Sequence, residues 1–330
     1  MSLLITGGAG YIGSHTLKYF TEKGKEVVVV DNLETGHKEF VRDAIFYNLD
    51  IRNKIELDKL FKKHDIEGVI HFAANSIVGE SMIDPYKYYH NNVYGMLCLL
   101  DVMKHNNVKK IVFSSTAAVY GEPREIPISE DNPTLPTNPY GETKLAMERM
   151  MHWFDVAYGI KYVSLRYFNA AGAIEDSSIG ELHIPETHLI PLILQVPLGQ
   201  KDRVYVFGDD YPTKDGTCIR DYVHVMDLAS AHYLAYNYLL EGNESQVFNL
   251  GNEIGYTVFE VINTAKKVTG CKIPVEVIGR RSGDPAALIA SSKKIKDTLN
   301  WELKYSSLEK IIKDAWEFQK NYINKWKERN

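Results

Sequence analysis

Apolar residues in this chain follow two rhythms that alternate through its first half. Short unbroken runs read as strands with no polar face: Leu3-Leu4-Ile5, Val27–Val30, Ala44-Ile45-Phe46, Val69-Ile70-His71-Phe72, Ile111-Val112-Phe113 and Tyr162-Val163-Ser164-Leu165. A strand that is apolar on both faces belongs in a parallel sheet covered by helices on either side. Amphipathic stretches separate these runs. One follows Gly10, one lies near Lys54–Lys63, one runs from Asp84-Pro85 towards His105, and one opens at Pro139 and continues through Leu145, Met150, Met151 and Phe154. Proline suits a first helical turn. The alternation predicts an α/β fold built on a Rossmann-type doubly wound parallel sheet. From Asn169 the regularity weakens, and polar loops such as Asp209–Gly216 interrupt it. Two parts are expected: a first domain over residues 1–170, and a smaller, loop-rich lobe over 171–330. A Val223–Leu240 helix and a Val247–Leu250 strand, within 221–252, are expected to rejoin the first domain.

The first strand–helix junction reads Gly7-Gly8-Ala9-Gly10-Tyr11-Ile12-Gly13. Close approach of a pyrophosphate to backbone amides needs residues without Cβ, and a helix N-terminus supplies favourable polarity. The spacing is G-x-x-G-x-x-G instead of the more familiar G-x-G-x-x-G, and a tight structural turn is the rival reading. Asp31 closes the Val27–Val30 strand. A carboxylate about 20 residues after such a turn can bond adenosine ribose hydroxyls. It also repels a 2′-phosphate, so the expected cofactor is NAD, bound by residues 1–170. Asp50-Ile51 reads equally well as a cover for the adenine edge or as a cap for the helix that follows. Phe72-Ala73-Ala74 places small residues where a cofactor would approach.

Tyr140 and Lys144 stand four residues apart at the start of the Pro139 helix. A free tyrosine, with pKa about 10, is a poor base at neutral pH. A lysine at i+4 shares its helical face and favours the phenolate by charge. The spacing alone is cheap, since Tyr19 and Lys23 repeat it and read as a buried tyrosine beside a surface lysine. Tyr140, however, follows a strand ending Phe113-Ser114-Ser115-Thr116, at the sheet edge where this fold binds ligands. Thr116 there polarises the same substrate oxygen, or else it caps a turn.

These segments, with Ala117-Ala118-Val119-Tyr120-Gly121, Arg166-Tyr167-Phe168-Asn169, Phe207–Thr213, Arg220–Val225 and Arg280-Arg281-Ser282-Gly283-Asp284, resemble the extended short-chain dehydrogenase/reductases, and among them the UDP-sugar 4-epimerases, over essentially the whole chain. The resemblance implies UDP-galactose and UDP-glucose as substrates, interconverted through a 4-keto sugar. Tyr140 would be the base, Lys144 would depress its pKa and hold the nicotinamide ribose, and Thr116 would bond the reacting oxygen. It adds Tyr11, Ile12, Asn32, Asn91, Ser114 and Phe168 to the cofactor contacts, and His188, Leu189 and Tyr205 to the substrate contacts. Asn169 resembles the family's phosphate contact and Asp284 its uridine-ribose contact. Phe207 would lie beside the uracil, while Arg220 and Arg281 suit a diphosphate that a guanidinium grips bidentately. Taken singly, each also reads as a surface ion pair or a core aromatic. Two positions depart from the family pattern: Ser76 replaces a lysine near the cofactor pyrophosphate, and Leu288 stands at a gatekeeper of intermediate size, which leaves N-acetylated sugars open. A homodimer is implied through helices near Asp84–His105 and Pro139–Tyr158.

A related 4,6-dehydratase would carry an Asp-Glu pair after the threonine, to remove the C6 hydroxyl; here the pair is Ala117-Ala118. A 4-epimerase of UDP-glucuronate or a UDP-pentose differs only in its sugar pocket. A silent NAD-binding regulator would not need Tyr140, Lys144 and Thr116 together. With 330 residues and a net charge of -5, the chain has no basic excess for nucleic acid. No apolar run reaches membrane-spanning length. Cys98, Cys218 and Cys271 are far apart and in no metal-ligand spacing, so neither disulfides nor a metal is expected, and the compartment is read as cytoplasmic.

Overall fold

The computed structural model describes residues 1–42, 44–281 and 285–329, with side chains to 323. Its strands are β1 (Ser2–Thr6), β2 (Val27–Asp31), β3 (Ile45–Asn48), β4 (Ile66–His71), β5 (Lys110–Thr116), β6 (Lys161–Tyr167), β7 (Asn169–Ala171), β8 (Val204–Phe207), β9 (Ile219–His224), β10 (Gln246–Leu250), β11 (Gly255–Thr257), β12 (Val275–Ile278) and β13 (Ala287–Leu288). The helices that position the site are α1 (Tyr11–Glu22), α2 (Lys54–His64), α3 (Val78–Ile83), α4 (Pro85–Tyr88), α5 (Gly95–His105), α6 (Pro139–Tyr158), α7 (Leu189–Leu194) and α8 (Val225–Leu240). Seven strands form one sheet in the order β10-β6-β5-β4-β1-β2-β3, and each neighbouring pair is parallel.

Alternation within each strand explains why both faces are apolar. Leu3 and Ile5 point to the face covered by α1 and α8, where they meet Leu17, Phe20, Leu228 and Tyr236. Leu4 points to the other face, among Leu57, Leu99, Leu100 and Met147 of α2, α5 and α6. The order in which the chain adds strands reverses between β1 and β4, so their carboxyl ends open a crevice there. A smaller sheet joins β9 to β7, β11 and β13, and β8 pairs with β12. No helix among the described residues is long and apolar enough to cross a membrane.

Some elements differ from the sequence reading. The stretch after Pro85 is helical to His105, but it is wound as a π-turn over Tyr89–Tyr94 between α4 and α5. Such insertions re-aim side chains; here Asn92 is fully buried. Val223 and His224 finish β9, and α8 starts at Val225 with the His224 ring capping the Met226 N–H. Phe72 lies just past β4, its N–H bonded to the Thr6 carbonyl at 2.9 Å.

Burial also sets an acid limit. It pulls His15 and His232 down to about 4 and His71 to about 3, so all three fold in the neutral form. Unfolded histidine titrates near 6.5, so below that pH the unfolded chain binds protons that the folded one refuses. Stability is present above about pH 6.5 and is lost as pH falls towards 4. Asp221, pushed up to about 7 by burial despite three backbone N–H bonds, opposes this by one proton. A net loss of roughly 2–3 kcal/mol per pH unit is expected from these four groups. Comparing urea unfolding of the parent and His232→Gln at pH 7 and 5 measures one histidine's share, and the variant should lack about one proton of the slope.

Candidate active site

A cleft of about 940 Å³ opens at the carboxyl edge of the large sheet. The glycine turn forms its floor. Gly7 has φ +73°, and a Cβ there would come within 2.5 Å of the Ala73 nitrogen; a Cβ on Gly13 would strike the Gly7 carbonyl oxygen at 2.2 Å. Those two glycines are required by the protein itself. Gly10 is different: a Cβ would meet only the Gly7 oxygen, at 3.4 Å. It caps α1 with no side-chain hydrogen bond to the helix amides, so both its bareness and the cap leave room for an anion at the helix N-terminus. Asp31 lines the cleft while its carboxylate accepts the Ala9 N–H at 3.0 Å and the Leu33 N–H at 2.8 Å. A carboxylate has about four acceptor sites, so it can hold the turn and still receive hydroxyls.

Tyr11, Ile12, Asn32, Asp50, Ile51, Phe72, Ala73, Ala74, Asn91, Ser114 and Phe168 also line the cleft, as does Ser76. Asp50 does not cap α2. That role falls to Asn53, whose side chain accepts the Glu56 N–H, whereas Asp50 binds the Arg52 N–H at 2.9 Å and its guanidinium. The Tyr11 hydroxyl is occupied within the fold, donating to the Gly172 carbonyl at 2.6 Å.

Tyr140 sits in the first turn of α6 because Asn138 caps that helix, accepting the Gly141 N–H at 2.9 Å, and Pro139 opens it. Its phenol lies beside the Thr116 side chain, which favours the ionised form. Thr116 accepts the Ala118 N–H at 3.1 Å, as the capping reading expects, and it also lines the cleft beside Tyr140. Lys144 is buried, with Nζ donating to the Ser114 carbonyl at 2.8 Å and lying 5.9 Å from the centre of the Tyr140 ring. Burial pushes the Tyr140 phenol up, opposed by the Thr116 side chain. It pulls the Lys144 ammonium down to about 7, opposed by Glu148. In the folded chain burial thus favours the neutral phenol of Tyr140. Burial penalises both charged forms and outweighs their attraction at this separation.

On the opposite wall stand Asn169, His188, Arg220, Arg281 and Leu288, with Glu181 and His183. Asn169 Nδ2 donates to the Asp221 carbonyl at 3.0 Å. The Arg220 guanidinium donates to the Ile219 and Pro285 carbonyls at 2.8 and 2.9 Å. Arg281 stacks over Phe207, 3.8 Å from the ring centre, which brings that aromatic to the mouth of the cleft without making it a wall. Leu189 and Tyr205 do not line the cleft. Leu189 packs partly buried against the cluster of Ile193, Val206 and Ile262, and Tyr205 is half exposed on β8. Asp284 lies outside the described residues.

Known proteins share this sequence and fold. A family model described as GDP-mannose 4,6 dehydratase matches residues 4–315. A UDP-glucose 4-epimerase of Halalkalibacterium halodurans is 59% identical over 322 residues, covering 98% of this chain and 96% of the relative. The crystal structure of UDP-glucose 4-epimerase from Brucella ovis in complex with NAD is 46% identical with a TM-score of 0.94, covering 96% of this chain and 98% of that one. The Bifidobacterium longum enzyme, solved with NAD+ and UDP, is 38% identical with a TM-score of 0.92, over 98% and 99%. The chain belongs to the UDP-glucose 4-epimerase family. As a member of that family it differs from a dehydratase at two positions that matter chemically: Ala117 and Ala118 follow Thr116 and line the cleft, where elimination would need an acid and a base.

Several residues that shape this family site escaped the sequence reading. Glu148, one turn past Lys144, receives Arg166 at 3.0 and 2.6 Å and the Ser115 hydroxyl, all buried. Arg166 in turn donates to the Tyr120 hydroxyl at 2.9 Å, which donates to Asn249 at 2.7 Å. Asn92, aimed inward by the π-turn, bonds the backbone of Asn75 at 2.8 and 3.1 Å and the Thr143 hydroxyl at 3.1 Å. Glu148 had a signal, its i+4 spacing from Lys144 on one helical face. Asn138 had one too, as an asparagine directly before a helix-opening proline. Asn92 had none, because a π-turn leaves no periodic mark.

Proposed function

We propose that this protein interconverts UDP-galactose and UDP-glucose by transient oxidation at sugar C4, with NAD as resident cofactor. The observation that carries this reading is the meeting of Thr116, Tyr140 and Lys144 on a wall of the same cleft as the Gly7–Gly13 turn. The residues present fit NAD: bare amides at the α1 N-terminus for the pyrophosphate, Asp31 for the adenosine ribose, and Lys144 for the nicotinamide ribose. When bound, NAD+ supplies a hydride acceptor that later returns the hydride, together with a fixed positive charge. Tyr140 then takes the O4 proton and gives it back, and Thr116 bonds the same oxygen. Lys144 adds charge that favours the phenolate, and Glu148 keeps that ammonium protonated. Arg220 and Arg281 hold the diphosphate while the sugar turns over between them and Tyr140. Conversion of UDP-galactose by purified protein without added NAD tests the reading, and no turnover by fully NAD-loaded protein overturns it. A parallel assay with UDP-N-acetylgalactosamine reads what Leu288 admits.

Gly10→Ala should separate cofactor binding from folding. With ordinary van der Waals contact at 3.4 Å and φ -76°, the new methyl leaves stability within about 1 kcal/mol but blocks the pyrophosphate. NAD per chain should fall at least about tenfold. Gly13→Ala, by contrast, should unfold the turn itself. Absorbance of released NAD and a urea melt measure the two effects.

The protein is further read as a cytoplasmic homodimer. Three free thiols suit a reducing compartment. Met82, Ile83, Tyr86, Leu97, Trp153 and Val156, on α3 to α6, are exposed apolar side chains on the helices expected to pair. Sedimentation at micromolar concentration should give twice the 37.6 kDa chain mass; a monomer alone contradicts the pairing.

A further inference from the structure

The loop between β7 and α7 brings together Glu181, His183, Glu186 and His188, spaced E-x-H-x-x-E-x-H, with one donor atom from each within 4.8 Å of all the others. Both histidines aim Nδ1 at both carboxylates. His188 Nδ1 lies 2.8 Å from Glu181 and 3.3 Å from Glu186. His183 Nδ1 lies 3.4 Å from Glu181 and 3.8 Å from Glu186. The carboxylates are buried, their side chains 5% and 8% exposed.

Ion pairing within this group is uneven. His188 supplies its Nδ1 proton to Glu181, and the Thr187 and His188 amides occupy one oxygen of Glu186, at 2.7 and 2.8 Å. His183 Nδ1 is buried and has only the longer contacts to Glu181 and Glu186, at 3.4 and 3.8 Å, neither of them with hydrogen-bond geometry. A buried polar nitrogen in that position is costly unless something fills the gap. The separations suggest what does. Ligands held about 2.0–2.2 Å from a tetrahedral zinc ion lie roughly 3.3–3.6 Å from each other, and the four nitrogen–oxygen distances straddle that edge. Two imidazole nitrogens and two carboxylate oxygens are a borderline donor set suited to zinc-class cations, and two carboxylates neutralise a dication.

We propose that Glu181, His183, Glu186 and His188 bind one divalent transition-metal ion of the zinc class in a closed tetrahedral site. Four protein ligands leave no open position, so the ion is structural. It fixes the loop that carries Thr187 and His188 into the cleft wall, a loop also held where His37 Nε2 meets the Leu182 carbonyl at 3.0 Å. The expectation of no metal rested on the cysteines; these ligands are histidine and glutamate.

Elemental analysis of the full-length protein, purified with its cofactor and without chelators or a histidine tag, should find close to one zinc per chain. After chelation, titration with Zn2+ should be stoichiometric at micromolar protein and should raise the melting temperature, and Co2+ should give the intense visible absorption of a tetrahedral site. His183→Ala should weaken Zn2+ binding at least about tenfold and abolish the cobalt spectrum. Absence of zinc as purified together with no saturable Zn2+ binding overturns the site. A weak, octahedral-type cobalt spectrum overturns it as well, and that readout on the unaltered chain does not depend on how any variant folds.

Discussion

Tyr140→Phe should lower kcat for UDP-galactose by roughly 10²–10⁴-fold, the usual worth of a positioned general base. NAD content and the unfolding midpoint should stay near those of the parent protein. The hydroxyl lies beside Thr116 in the cleft, while the ring is placed by the Asn138 cap and the α6 backbone, so phenylalanine keeps the fold and loses the proton carrier. Steady-state kinetics with released-NAD absorbance and a urea melt measure this. Conversion at the parent rate would remove Tyr140 from the chemistry. Since burial raises the phenol in the folded chain, the charge that ionises it must come from the bound cofactor as well as from Lys144. The effect of Tyr140→Phe should therefore appear in kcat with little change in KM.

The second large effect is expected away from the cleft. Arg166→Met should destabilise the protein by about 3–5 kcal/mol, because it leaves the Glu148 carboxylate buried without its bidentate partner. Both side chains are almost wholly enclosed, Arg166 at 8% and Glu148 at 6% exposure, so water cannot take the place of the guanidinium. The double variant Arg166→Met/Glu148→Met removes both charges and should recover much of that loss. Urea denaturation of the three proteins measures the cycle. Equal stability of Arg166→Met and the parent would show that the pair carries little, whereas a double variant no better than the single would assign the loss to packing. Burial lowers the Lys144 ammonium to about 7 against the opposing charge of Glu148, so the double variant should lower it further and move the loss of kcat that follows Lys144 deprotonation to lower pH, even where stability is restored.

The sequence made the large sheet legible because its strands are apolar on both faces, and few other local structures need Val27–Val30 in one run. The glycine turn was equally clear, although only the structure separates Gly7 and Gly13, which the backbone requires, from Gly10, which it does not. Tyr140 and Lys144 were found by spacing and strand context, but their protonation was not, since a pKa depends on burial that no four-residue pattern records. The substrate wall was read through resemblance residue by residue, and positions near turns drifted. Leu189 and Tyr205 fall outside the cleft because the start of α7 and the alternation along β8 decide which neighbour faces inward. The Glu181–His188 group went unnoticed for a related reason. Its ligands lie in a loop without period, and the metal reading looked to cysteines.

The most direct measurement uses UDP-galactose carrying deuterium at C4, incubated in ordinary water with the purified protein and no added NAD. Mass analysis of the product should find UDP-glucose with the deuterium still at C4, because the hydride leaves and returns within one closed site. Failure to form product, or UDP-glucose whose C4 deuterium has been exchanged for solvent hydrogen, would contradict the account.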